Sequence, residues 1–395
     1  MDRHADVNTS DPASVIPDRY ARDGEEGSYV PEFAQSIGFC TSADGVRIAY
    51  AVSGEGPPMV KTGHWMSHVE FDGASPVWRP WLDLLSRHRT LVRFDPRGCG
   101  LSDHDEEDVS REAWQADLEA VVAALDLDRF DLIGMSQGAP VAIGYAHAHP
   151  DRVQRLLLYG AYARGRAKRG LSAEQKATSD ALVQLIRTGW GQENPAFRQL
   201  FTSLFIPGGS DEQVEWFNEL QRISTEPEMA ARIVRAADDL DATQQARELR
   251  VPTLVLHAAR DARVPVAEGR LVASLIPEAR FVELDSDDHV LLDREPAWNE
   301  MVREVAAFLE LPAGEREAVA PHDDDRADAL ATLTPRERDV LDALSEGRTN
   351  KQIAKKLGLT PKTARNYVSL VLSKLGAATR TEAAAIALRL GRSDA

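Results

Sequence analysis

Phe130-Asp131-Leu132-Ile133-Gly134-Met135-Ser136-Gln137-Gly138-Ala139-Pro140-Val141 is the stretch that decides the fold. Phe130 to Ile133 suits a buried strand, and a helical run follows from Val141 to Ala148. Between them, Ser136 stands on a sharp strand-to-helix turn that strains the backbone and presents the hydroxyl. Gly134 and Gly138 leave room for the bend. The five-residue pattern alone is a weak signal; its position between a strand and a helix gives it weight.

Outward from this turn, short Leu-rich or β-branched runs alternate with helical stretches. The runs are Leu91 to Phe94, Val153 to Tyr159, Val251 to Leu256 and Arg280 to Leu284. The alternation predicts an α/β domain with a mainly parallel sheet. From about 164 to 248 the pattern is helical throughout and reads as a cap over the sheet's C-terminal edge. Trp190, Phe197, Phe201, Phe205, Trp216 and Phe217 fall there. Singly each reads as packing between cap helices; together they can line an apolar pocket. Polar turns follow the two late strands, carrying Asp261 and His289. Ser136, Asp261 and His289 thus form a candidate catalytic set. His289 would take the serine proton, and Asp261 would orient the imidazole and stabilise its charged form. His257 reads as a buried strand-end histidine. His64 and His68 fall near the pocket rim without a clear partner. Asp95 and Arg97 read as turn-fixing residues, and Cys99 as a small turn residue.

The order Ser, Asp, His, the start Asp44-Gly45-Val46-Arg47-Ile48-Ala49-Tyr50 and the run Phe94-Asp95-Pro96-Arg97-Gly98-Cys99-Gly100-Leu101-Ser102-Asp103 resemble the α/β-hydrolase family. The resemblance covers residues 35–311 and implies a mainly parallel sheet with a helical cap. It also implies an oxyanion hole made of two backbone N–H groups, those of Gln137 and Trp65. The loop departs from the family's pattern, with His64 where glycine is usual. Asp288 likewise stands where glycine often precedes the histidine. Both departures favour slow turnover, or binding without turnover.

The last segment carries its own signals. Thr334-Pro335-Arg336-Glu337 is a capping box with proline at the first helical position. A helix follows to Gly347, and a second runs from about Asn350 to Gly358. Thr360-Pro361 opens a third, with Ala364, Val368, Val371, Leu372 and Leu375 on one face. Thr379-Arg380-Thr381-Glu382 caps a fourth. Residues 331–395 resemble the LuxR-type helix-turn-helix, a small all-α domain of four helices. By position, Lys362, Thr363, Arg365, Asn366 and Ser369 would meet bases or phosphates in the major groove. Asn350, Lys351 and Lys374 would contact the backbone of double-stranded DNA. The resemblance implies a homodimer through the fourth helix.

Charge agrees with this division. Residues 331–395 hold 12 basic and 6 acidic residues, against 34 and 57 in the rest of a chain of net charge −17. Phosphate contact needs local positive charge, so the body should sit away from DNA. Residues 1–34 read as a disordered polar arm without a signal peptide's apolar core, and 312–330 as an acidic linker. Two cysteines suit a reducing cytoplasm. No run spans a membrane, and the motifs require no cofactor and no metal. The expected function is a cytoplasmic transcription regulator whose hydrolase-like body senses, and can hydrolyse, a small ester, lactone or acyl ligand. The alternatives are an active serine ester hydrolase whose tail targets or dimerises it, and a catalytically dead receptor.

Overall fold

All six residues of the central strand Phe130–Met135 are buried, as a strand covered on both faces requires. The fold is a computed structural model. It describes residues 33–64, 66–192, 195–312 and 333–375, together with 330, 377, 380, 383, 384, 386 and 387. The polar arm, most of the acidic linker and the cap of the fourth tail helix lie outside the described residues.

Eight strands form one sheet: β1 (Ser36–Thr41), β2 (Arg47–Ser53), β3 (Pro58–Lys61), β4 (Thr90–Phe94), β5 (Phe130–Met135), β6 (Val153–Tyr159), β7 (Thr253–Ala258) and β8 (Arg280–Leu284). Their order is β1-β2-β4-β3-β5-β6-β7-β8. The β1–β2 and β2–β4 pairs are antiparallel and the others parallel. Strand order reverses between β3 and β5, which makes the C-terminal ends of these two strands the crevice where open α/β sheets bind ligands. Successive side chains alternate between faces. Met59, Leu91 and Ile133 join the core beneath α1 (Arg79–Ser86) and the final helix of the body, Pro296–Phe308. Val60, Val92 and Leu132 join the opposite core, beneath α2 (Arg111–Ala124) and α3 (Gly138–Ala148). Two expected boundaries move. β7 starts at Thr253, beyond Pro252, which has no N–H to give to a ladder. α3 starts at Gly138, directly behind Ser136.

Between β6 and β7 lie α4 (Ala173–Gly189), α5 (Pro195–Phe205), α6 (Asp211–Ser224), α7 (Pro227–Asp239) and α8 (Thr243–Glu248). Ser172 with Gln175, and Ser210 with Gln213, close capping boxes at the heads of α4 and α6. The only pairing among the described residues here is one isolated bridge, Arg164 to Asp241. The aromatic residues divide by position. Trp190 and Phe197 pack on Phe201 inside the cap. Trp216 stacks on Phe71 of the body, with ring centroids 4.4 Å apart. α9 (Val266–Leu275) and α10 (Pro296–Phe308) complete the body.

Long-range polar bonds close the body. The Arg89 guanidinium donates to Asp131 at 3.2 Å and to the Leu309 carbonyl at 2.7 Å. The Trp81 indole donates to the Leu291 carbonyl at 2.9 Å. Arg97 is fully buried and paired at 2.7 Å with both Asp117 and Asp44. Asp95 accepts from the amides of Val69 and Leu101. Both therefore hold the chain after β4 in place.

The tail holds α11 (Pro335–Ser345), α12 (Asn350–Leu357) and α13 (Pro361–Lys374) around a separate core that includes Val340, Leu344, Ile353, Val368, Val371 and Leu375. The Thr334–Glu337 capping box forms, and Thr349 with Gln352 forms another. Gly358 takes the left-handed conformation that ends α12 (φ 65°). No described helix is long and apolar enough to cross a membrane.

Candidate functional site

Ser136 has φ 48°, a left-handed backbone that costs a non-glycine residue roughly 1–3 kcal/mol. Its surroundings hold it there. Its amide donates to the Tyr159 carbonyl at 3.0 Å, and its carbonyl accepts from Ala139 at 3.0 Å. The flanking glycines are required by close approach. A Cβ on Gly134 would lie 2.8 Å from Ala139 Cα, and one on Gly138 would lie 2.3 Å from Thr62 Oγ1. Thr62 stitches the loop after β3 to this turn, its amide and hydroxyl donating to the Ile133 carbonyl and its hydroxyl also to that of Gly138. Gln137 is buried at the N-terminus of α3, where helix amides have no intrahelical acceptor. Trp65, the other expected oxyanion donor, lies outside the described residues.

His289 Nδ1 lies 2.6 Å from Asp261 Oδ2. A carboxylate only accepts, so Nδ1 carries the proton and Nε2 is left as the basic nitrogen. The other carboxylate oxygen accepts from the amides of Arg263 and Val264, both at 2.8 Å. Burial alone would raise the Asp261 carboxyl. The facing His289 and hydrogen bonds from His257, His289 and Val264 outweigh it and hold this pKa well below the usual carboxylate range. His257 is buried at the end of β7, with Nε2 2.9 Å from the Val264 carbonyl and 3.5 Å from Asp261. It therefore braces Asp261, a role its position alone did not reveal.

Ser136 and His289 line one cavity with His64, Met66, Trp78, Met135, Tyr159, Phe205, Phe217 and Val290. It encloses about 370 Å³ including its mouth. Among the described residues that line it, none is Lys, Arg, Asp or Glu, and the aromatic walls suit a small neutral group. Phe205 meets the His289 ring edge-on, with centroids 5.4 Å apart. Trp78, Met66 and Tyr159 escaped sequence reasoning because they come from separate elements with no shared spacing. The two rim histidines do have partners. His64 stacks on Trp78 at 5.0 Å, and His68 Nδ1 accepts from the Phe71 amide at 3.2 Å. Burial pushes the Cys99 thiol up to about 12, which removes it as a nucleophile.

In the tail, Lys351 and Arg365 are exposed and Asn350 is half-buried. Thr363 is partly committed to its own helix, its amide donating to Thr360 Oγ1 at 3.1 Å. Lys374 is exposed but paired with Glu337 at 2.8 Å. Lys362, Asn366 and Ser369 lie on α13, and their side chains fall outside the described residues.

The body and tail match separate families. Residues 71–296 match the alpha/beta hydrolase fold, and residues 331–387 match the bacterial regulatory proteins of the luxR family. A pyrrolizixenacetamide deacetylase of Xenorhabdus hominickii is 27% identical over 243 residues, 60% of this chain and 86% of that protein. The DNA-binding transcriptional activator DevR/DosR of Mycobacterium tuberculosis is 52% identical over 69 residues, 18% of this chain and 32% of that protein's length. The solved esterase RhEst1 of Rhodococcus sp. ECU1013 has a TM-score of 0.56 at 25% identity, covering 70% of this chain and 98% of its own. The chain belongs to the alpha/beta hydrolase fold family and carries a LuxR-type helix-turn-helix DNA-binding domain after the hydrolase body.

Proposed function

We propose that this protein is a cytoplasmic transcription regulator whose body binds, and can deacylate, a small neutral ester, lactone or acyl ligand. The observation that carries this reading is that His289, paired at 2.6 Å with Asp261 behind it, lines one aromatic cavity with Ser136, on a chain that also holds a DNA-binding domain. In this reading Ser136 Oγ attacks the carbonyl carbon while His289 Nε2 takes its proton. Asp261 stabilises the imidazolium, and the amides of Gln137 and Trp65 receive the developing oxyanion. The imidazolium then returns the proton to the departing alcohol, leaving an acyl group on Ser136 that water removes by the same route. A ligand resting in the cavity, or an acyl group held on Ser136, biases how the tails are presented. Lys362, Thr363, Arg365, Asn366 and Ser369 read the major groove, and Asn350, Lys351 and Lys374 hold phosphates. The fourth tail helix joins two copies.

Two measurements test this. A fluorophosphonate probe should label the wild type and not Ser136→Ala. Operator binding in a gel shift should weaken sharply in the Lys362→Ala/Arg365→Ala double variant, and unchanged binding would falsify the output half. The second reading, a working ester hydrolase that the tail only targets or dimerises, is favoured by the deacetylase relative, which matches over most of its own length. Fast turnover of short acyl esters, with cellular function intact after deletion of the tail, would select it.

A further inference from the structure

We propose that Asp288 is a positioning residue for His289: its buried side chain ties the base loop to the cap corner between α5 and α6, and Gly208 is glycine there to admit it. This rests on the reading of Ser136, Asp261 and His289 as a catalytic set. Asp288 directly precedes His289, where the family often has glycine, and is only 2% exposed. Its Oδ1 accepts from the Gly208 amide at 2.8 Å. Gly208 does not take the left-handed backbone, so its conformation does not call for glycine. Space does. A Cβ at 208 would lie 2.7 Å from Asp288 Oδ2, and its three nearest neighbours would all be atoms of that carboxyl group. Two positions 80 residues apart are therefore fitted to each other.

The base loop is held in two ways. Its ends belong to the body: the Arg260 amide donates to the Ser286 carbonyl at 3.0 Å, and the Trp81 indole to the Leu291 carbonyl at 2.9 Å. The residues between those ends are held by the cap. Asp288 takes the Gly208 amide, and the Val290 amide donates to the Phe205 carbonyl at 3.0 Å. Farther along, the Arg294 guanidinium donates to the Gly208 carbonyl. His289 thus has a cap bond on the residue before it and another on the residue after it. Phe205 also meets the imidazole edge-on, so one corner of the cap touches both the ring and the backbone that carries it. Asp261 fixes which way the ring turns, through Nδ1, but not the Cα from which the ring hangs. Proton transfer from Ser136 needs Nε2 within hydrogen-bond reach, and a misplacement of about 1 Å can cost roughly 100-fold. Removing the side chain of Asp288 removes one of the two bonds that bracket His289. The bond needs only an acceptor oxygen, which asparagine also supplies.

The test measures the rate of Ser136 labelling by a fluorophosphonate in the full-length wild type, Asp288→Asn, Asp288→Ala, Gly208→Ala and the Asp288→Ala/Gly208→Ala double variant. Asp288→Asn should label close to the wild-type rate, and Asp288→Ala roughly 10- to 100-fold more slowly. Gly208→Ala, whose Cβ meets the carboxyl group, should slow labelling to a similar extent. The double variant should label no more slowly than Asp288→Ala, because the obstacle at 208 has gone with the side chain that caused it. Wild-type labelling by Asp288→Ala, equal losses in Asp288→Asn and Asp288→Ala, or losses that multiply in the double variant each overturn the proposal. Should Asp288→Ala fail to fold, Gly208→Ala carries the test, and wild-type labelling there overturns it. If Ser136 labels in no variant, wild type included, the catalytic reading fails by itself. Amide exchange of the segments holding Gly208 and Val290 then decides whether the tie exists. Protection lost in Asp288→Ala and kept in Asp288→Asn upholds it, and protection unchanged in Asp288→Ala sinks it.

Discussion

Asp261 shows how single side chains set this site. Both of its oxygens are satisfied, one by His289 and one by two backbone amides, so its charge is stabilised although water is excluded. A carboxyl whose folded pKa is depressed contributes stability above its unfolded pKa of about 3.9 and loses it as pH falls towards the folded value. Asp261→Asn should therefore be less stable than the wild type at pH 7, and the gap in denaturation midpoint should narrow below about pH 4. A gap that stays constant into strong acid would mean that shape, not charge, matters at this position. The candidate residues Ser136, Asp261 and His289 were legible in the sequence because each lies just past a short apolar run, and order along the chain supplied the rest. His257 was only half legible. Its burial followed from its place in a strand, but its contact with Asp261 depends on how the next turn folds back.

At the scale of elements, the ends of parallel strands position the chemistry. β5 ends one residue before Ser136, β6 one residue before Gly160, β7 three residues before Asp261 and β8 just before the His289 loop. Gly160 has φ 56°, and a Cβ there would lie 2.9 Å from His289 Cε1. Gly160→Ala should cost about 1–2 kcal/mol in urea denaturation from backbone strain alone. It should also slow Ser136 labelling by displacing the imidazole. Normal labelling in a destabilised variant would show that the ring has room to yield. No sequence pattern marks this glycine, because the atom that requires it lies on a distant loop. The helical cap was visible as an interruption of strand signals, and its aromatic residues as a group. Which of them face the cavity was not, since Phe205 and Phe217 are assigned by how α5 and α6 pack, not by periodicity. The first three strands were legible only as motifs, because β3 is four residues long and β1 alternates on an exposed edge.

Across the whole molecule, charge and cohesion are divided differently. The acidic body and basic tail were evident from composition, and each has its own core. DNA affinity should fall steeply with salt, and replacing the two lysines proposed to contact phosphate should lower the log–log slope by about 2. A slope indifferent to Lys351→Ala/Lys374→Ala would remove both from the backbone contacts. The tail's core is local, whereas the body is closed by Arg89 and Trp81 reaching Leu309 and Leu291 far along the chain. During synthesis, then, the hydrolase body cannot finish until its last helix has left the ribosome, and the DNA reader emerges only after that. A chain cut at residue 300 keeps Ser136, Asp261 and His289 yet strips the Arg89 guanidinium of its Leu309 acceptor and the sheet of half its last covering helix, and should be recovered as aggregate. A chain cut at 312 should be recovered soluble and open to Ser136 labelling. Translation order thus brings the whole hydrolase body out of the ribosome before the DNA-binding domain has emerged.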